Sequence, residues 1–224
     1  MMTSIDNDQE QLLREKSLAF FGAITASVSH ELNNVISIID QTAGLLEDLL
    51  YGTQQGRPIQ NERLERIATR VRKQTQRGVG IIKRLNRFAH SVDDPVGEFE
   101  LNNLIENLTA LNQRFASLKR VNLETHYSDE PINIVSSPFL IQQVLFLCIK
   151  MALDASQEND TIIVIIDSDD DGVKMSVMGR KLEQNENELY SDYLDQLMTI
   201  MGGKIEVKSD DNQSVFKILI QRSK

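Results

Sequence analysis

Six consecutive residues, Ser29-His30-Glu31-Leu32-Asn33-Asn34, bring an imidazole, a carboxylate and two amides together. On a helix, His30 and Asn34 lie one turn apart and Ser27 three residues back, so the three would share one exposed patch. Glu31 and Asn33 would flank it. An imidazole with an ordinary pKa near ~6.5 is mostly neutral at pH 7 and can attack phosphorus through a ring nitrogen. A histidine on an arbitrary helix is far more often a plain surface residue. Spacing alone leaves both readings open.

A long helix must position this patch. Residues 8–90 contain one proline, Pro58, and are filled with helix-compatible Leu, Ile, Ala, Gln, Glu and Arg. The stretch Tyr51-Gly52-Thr53-Gln54-Gln55-Gly56-Arg57-Pro58 interrupts them with stop and turn residues. Two helices in an antiparallel hairpin are therefore expected, the first over residues 9–51 and ~65 Å long. Leu18, Thr25, Leu32, Ile39 and Leu46 recur every seven residues, beside Phe21, Val28, Val35, Thr42 and Leu49. In the second helix Leu64, Val71, Gly78 and Leu85 recur beside Ala68, Thr75, Ile82 and Ala89. These are a/d seams, and with Val28 and Val35 at d, His30 falls at f and faces outward. Ile24, Ile36, Ile38, Ala43, Leu45 and Leu50 widen the apolar stripe beyond one seam. Pairing two hairpins as a dimeric four-helix bundle would bury it, so a homodimer is expected.

After a polar linker at 91–98 the pattern changes. Helices are expected over 101–118, 137–156 and 189–201, with strands at 121–126, 132–135, 161–167, 173–178, 204–208 and 215–221. Ser136 or Ser137 caps the second of these helices, with Pro138 in its first turn, and Gly202-Gly203 stops the third. The fold class is α+β: a helical hairpin over residues 1–94, then an α/β sandwich over 95–224.

Composition narrows the function. With 24 Lys+Arg against 33 Asp+Glu the net charge is -9, which argues against a nucleic-acid partner. No apolar run approaches the ~20 residues that cross a bilayer, and residues 1–15 lack the apolar core of a leader. A cytoplasmic protein without membrane insertion is expected. Cys148 stands alone, so no disulfide within the chain can form. Residues 57–90 hold ten basic and two acidic side chains, while 158–195 hold eleven acidic and three basic. Those are either solvated faces of opposite sign or, for the basic side, a surface for an acidic partner. The cluster Asp169-Asp170-Asp171-Gly172 reads as a hairpin turn rather than a calcium loop. His90, His126, Cys148 and the methionines read as structural.

The stretch Glu15-Lys16-Ser-Leu-Ala-Phe-Phe21-Gly22-Ala-Ile-Thr-Ala-Ser-Val-Ser29-His30-Glu31-Leu32-Asn33-Asn34 resembles the phosphoacceptor box of sensor histidine kinases, closest to their nitrogen-regulation type. The hairpin resembles that family's dimerisation and phosphotransfer domain. The resemblance implies that His30 is phosphorylated, that Glu31 polarises it or takes its proton, and that Asn34 orients a water for phosphatase chemistry. The partner implied is a response-regulator receiver domain carrying its own Mg²⁺. Ser27, Asn33, Arg70, Arg77 and Arg84 would help that partner dock. Val35 stands where the family usually has proline.

Residues 99–224 resemble the family's ATP-binding domain, with departures. Leu147 and Met151 occupy positions where the family places Mg²⁺-binding asparagines. Met178-Gly179-Arg180-Lys181-Leu182 replaces the Asp-x-Gly-x-Gly adenine box. Residues 183–195 replace the glycine-rich lid. No cofactor is therefore expected on this chain, and His30 would exchange phosphate with a receiver rather than take it from ATP. A pseudokinase scaffold without chemistry and an ATP-dependent kinase with a divergent pocket are the two alternatives.

Overall fold

The computed structural model describes residues 4–127, 130–169, 172–182 and 184–221. Its elements are α1 (Ser4–Gln54), α2 (Asn61–Ala89), a 3-10 turn (His90–Val92), β1 (Gly97–Glu100), α3 (Leu101–Lys119), β2 (Asn122–Tyr127), β3 (Asn133–Ser136), α4 (Pro138–Ala155), β4 (Thr161–Asp169), β5 (Gly172–Arg180), α5 (Gln184–Ile200), β6 (Gly203–Ser209) and β7 (Gln213–Gln221). The turn residues Asp170 and Asp171, and Glu183 at the start of the lid-like stretch, lie outside the described residues. By compactness the chain divides into 25–86 and a second unit made of 1–24 and 87–224.

The unit 25–86 is the helical hairpin. Its turn is closed by the Arg57 amide donating to the Gly52 carbonyl, with Gly56 at φ +81. Val28, Val35 and Thr42 are buried along α1, as the seam predicts. Within this unit the buried positions of α2 are Ile67, Gly78 and Ile81, with Val71, Gln74, Gly80 and Leu85 half-buried. The second series expected on α2 is thus one residue out of register: Ala68, Thr75 and Ile82 face solvent in the single chain. Ala68 and Thr75 are neutral enough to suit either face, so their spacing could not decide the rotation. A Cβ at Gly78 would meet Val35 Cγ1 at 3.4 Å, an ordinary van der Waals contact, so the two helices face each other here with room for a methyl group. Ile36, Leu45, Leu50, Val79 and Ile82 stay exposed.

The other unit is a two-layer sandwich. Its sheet has the order β2-β4-β5-β7-β6, with β2 parallel to β4 and the other pairs antiparallel. The parallel pair needs a crossover, which the β3–α4 segment supplies. Alternation gives the sheet one buried face: Ile162, Val164 and Ile166 of β4, Val173, Met175 and Val177 of β5, and Phe216, Ile218 and Ile220 of β7. The helical layer of α3, α4 and α5 covers them. Ser137 caps α4 by accepting from the Leu140 amide, with Pro138 at its first position. Gly202, at φ +66, ends α5 in the left-handed region, and a Cβ at Gly203 would lie 2.6 Å from the Leu219 carbonyl oxygen.

The expected linker at 91–98 is mostly structured. Ser91 is buried and donates to the Phe88 carbonyl, and β1 pairs antiparallel with β3 from Gly97↔Ser136 to Glu100↔Asn133. A four-residue strand is too short to show a period. Residues 4–24 also join the sandwich instead of the hairpin. Phe20 is 3% exposed and packs edge-on against Phe88 at 5.3 Å and tilted against Phe146 at 4.8 Å. By length and hydropathy α4 could cross a membrane, but 67% of it is buried within the fold.

The aromatic cluster predicts a measurable difference along α1. Phe20→Ala should cost ~3–5 kcal/mol in urea unfolding, the loss typical of a buried ring. Leu18→Ala, at a side chain 72% exposed, should change stability by less than ~0.5 kcal/mol.

Candidate functional site

The seam fixes the rotation of α1, and the rotation sorts the candidate residues. His30, Asn33 and Asn34 are exposed. Ser27 is not: it is 4% exposed, on the stripe that continues Ile24 and Val28, and its hydroxyl has no hydrogen-bond partner. The expectation that Ser27 shares the His30 patch is therefore corrected. Three residues back on a 3.6-residue turn is 60° away in rotation, enough to carry a small side chain over the edge of the seam.

Glu31 points to α2, where its carboxylate meets the Arg77 guanidinium at 3.6 Å. Adjacent residues on a helix do not face each other, so His30 points outward while Glu31 is held half-buried beside it. Arg77, expected at a docking surface, has this partner within the chain. Arg70, Arg77 and Arg84 are all exposed at seven-residue spacing and so occupy one face of α2. Arg70 also lines a groove with Arg63, Arg66, Leu45 and Leu49 near the hairpin turn.

In the sandwich, Leu147 and Met151 are 7% and 4% exposed and belong to the core. Mg²⁺ requires oxygen ligands, which neither side chain has, so these positions do not fit a metal-bound nucleotide. Among the described residues no group of three or more His, Cys, Asp or Glu could hold a metal ion. Gly179 lies near the end of β5, paired with Ser214 of β7, and a Cβ there would meet Ala152 Cβ at 3.0 Å. Cys148 is fully buried, and burial pushes its thiol far above the ordinary range, so it is inert.

A polar cluster that the sequence reading did not single out lies one turn before Leu147. Gln143 is 1% exposed and donates to the Tyr193 hydroxyl at 2.7 Å. Its amide also lies 3.2 Å from the Ser17 hydroxyl. Burial raises the Tyr193 hydroxyl above its ordinary value while its bond with Ser17 opposes the shift, so the phenol stays protonated. The available signal was a pair of glutamines, Gln142-Gln143, inside an otherwise apolar helix.

Three helices on a mixed five-stranded sheet, preceded by a helical hairpin with an outward histidine, form the architecture of the histidine kinases. No protein-family model matches the chain. Over 170 residues it is 25% identical to sporulation kinase A of Bacillus subtilis (strain 168), covering 75% of this chain and 26% of that protein. Over 174 residues it is 25% identical to the sensor protein FixL of Bradyrhizobium diazoefficiens, covering 75% of this chain and 34% of that one. Its fold is similar to histidine kinase ThkA, crystallised in complex with the response regulator protein TrrA. There the TM-score is 0.51 at 20% identity, over 100% of this chain and 68% of the other. The chain is histidine-kinase-like in sequence and fold, and spans a quarter to a third of the length of these curated relatives.

Two substitutions probe the hairpin. Ser27→Ala should be neutral or stabilising within ~1 kcal/mol, because it removes a buried hydroxyl that makes no bond. A double-mutant cycle on Glu31 and Arg77 should return a coupling of ~0.2–1 kcal/mol that fades with added salt.

Proposed function

We propose that this chain is a phosphotransfer or response-regulator phosphatase component of a two-component pathway, acting through His30 without productive ATP binding. The observation that carries the reading is the pairing of an outward His30 with apolar, buried residues at Leu147 and Met151. The partner is a receiver domain holding a phosphoaspartate and its own Mg²⁺. Its response-regulator class is supported by the complex that ThkA forms with TrrA.

In transfer, a ring nitrogen of His30 attacks phosphorus. A P–N bond forms, the acyl P–O bond breaks, and the aspartate leaves as a carboxylate. The exposed imidazole is accessible for in-line approach, and Glu31, held by Arg77, fixes charge beside it. In the phosphatase direction Asn34, one turn beyond His30, orients the attacking water. Asn33 and the face carrying Arg70 and Arg84 contact the acidic partner. Residues 1–94 act as the dimerising phosphotransfer part and 95–224 as a degenerate ATP-binding-like part. Exposed Ile36, Leu45, Leu50, Val79 and Ile82 supply the apolar surface for a homodimer. The setting is cytoplasmic.

The test is transfer kinetics with a ³²P-labelled receiver, together with calorimetry of Mg·ATP. The native chain should drain label from the receiver and show no heat with millimolar Mg·ATP. His30→Gln should abolish transfer to the chain, and Asn34→Ala should slow phosphate release at least ten-fold while sparing transfer. Tight receiver binding without movement of label would make the chain a scaffold. Label entering His30 from ATP would make it a kinase.

A further inference from the structure

A cavity of about 440 Å³ opens between the early turns of α1, the C-terminal half of α3 and α4, all parts of the sandwich unit. It lies within the size range of small-molecule sites (~300–1,000 Å³). Each helix gives it one aromatic wall: Phe20 of α1, Phe115 of α3 and Phe146 of α4. The rings of Phe20 and Phe146 are tilted at 45° with centroids 4.8 Å apart, and Phe115 stands edge-on to Phe146 at 6.0 Å. Leu147 and Leu153 complete a buried floor. At the mouth Ala19 and Leu118 are exposed, Leu118 to 68%. A leucine so exposed at the lip of an apolar hollow is surface that an occupant would take out of water.

The polar side chains around the hollow are already engaged. Lys119 holds Asp154 at 2.8 Å and donates to the Leu153 carbonyl at 2.9 Å. Lys16 and Lys150 have partners within the chain. Both ends of the Gln143 amide are taken: Nε2 donates to the Tyr193 hydroxyl at 2.7 Å, and Oε1 accepts from the Ser17 hydroxyl at 3.3 Å. Asn112 donates to the Leu108 carbonyl at 2.8 Å. An ionic ligand of either sign would have to break one of these bonds or enter desolvated and unpaired. A neutral ligand does neither. Among neutral ligands, a rigid planar one loses little conformational freedom and can meet the three phenyl groups edge to face, whereas a flexible chain must freeze its rotors. We infer that this cavity binds a neutral aromatic molecule of two or three rings, seated among Phe20, Phe115 and Phe146 and covered by Leu118. Because α1, α3 and α4 each supply a wall, the occupant ties the early turns of α1 to the other two helices. The inference does not depend on the phosphotransfer reading, and each can fail without the other.

Fluorescence titration of the full chain with N-phenyl-1-naphthylamine, a neutral three-ring probe that brightens in apolar surroundings, tests it. The probe should bind one per chain with a micromolar Kd that added salt changes less than two-fold. Naphthalene should displace it. Naphthalene-1-sulfonate and 1-naphthylmethylammonium should each compete at least ten-fold less well than naphthalene, and so should decanol. Ala19→Trp, at an exposed position, should fill the mouth and abolish binding while circular dichroism stays native. Leu118→Ser, also exposed, should weaken the probe at least three-fold. Absence of saturable binding, or binding indifferent to both substitutions, would overturn the inference. A preference for either charged competitor would show that the polar rim is open to ions and overturn it too. Stronger competition by decanol than by naphthalene would make the hollow an aliphatic site, and displacement by Mg·ATP a nucleotide site; either contradicts the assignment.

Discussion

A helix of 51 residues must bury one continuous stripe, and everything on its other faces is thereby handed to solvent. In this chain the stripe runs through Phe20, Ile24, Ser27, Val28, Val35 and Thr42. Once those side chains are committed, the rotation of α1 is no longer free. His30, Asn33 and Asn34 must then project outward, and Glu31 must lean toward α2. The chemistry attributed to the histidine rests on this packing constraint: a nucleophile has to be reachable by a partner's phosphoryl group, and only the rotation of the helix makes it so.

The same logic of committed surfaces runs through the sandwich. In α4 nearly every residue from Ile141 to Leu153 is buried, and the polar exceptions at Gln142 and Gln143 are buried too. Gln143 joins Ser17 and Tyr193 in a bonded cluster, so its amide holds α1, α4 and α5 together. Leu147 and Met151 are buried in the same helix and contribute only apolar side chains to the core. A fold of histidine-kinase type is held here by apolar packing of its helices on the sheet. Fold and nucleotide chemistry are separable because different side chains carry them.

Much of this was legible from residue order. The hairpin, the cap at Ser137, the stop at Gly202-Gly203 and the strands of β4, β5 and β7 follow from periodicity and turn chemistry, which are local. What escaped was non-local or degenerate. β1 is four residues long and exists because β3 pairs with it. The parallel partnership of β2 and β4 depends on a crossover rather than on any turn residue. On α2, Ala68 and Thr75 fit either face, so only the buried Ile67 and Ile81 reveal the true register. Ser27 was misplaced for a related reason, since a small hydroxyl is tolerated at the margin of a seam. The membership of Phe20 in the sandwich was beyond reach, because its ring partners lie 68 to 126 residues away in the chain.

In the proposed function His30 is a phosphoacceptor charged by a receiver and not by ATP. Phosphorus NMR of the full chain, after incubation either with phosphorylated receiver or with Mg·ATP alone, addresses it most directly. The account predicts a phosphoramidate resonance in the first sample, lost in His30→Gln, and none in the second. A phosphoramidate formed from Mg·ATP alone, or one that survives the loss of His30, would contradict it.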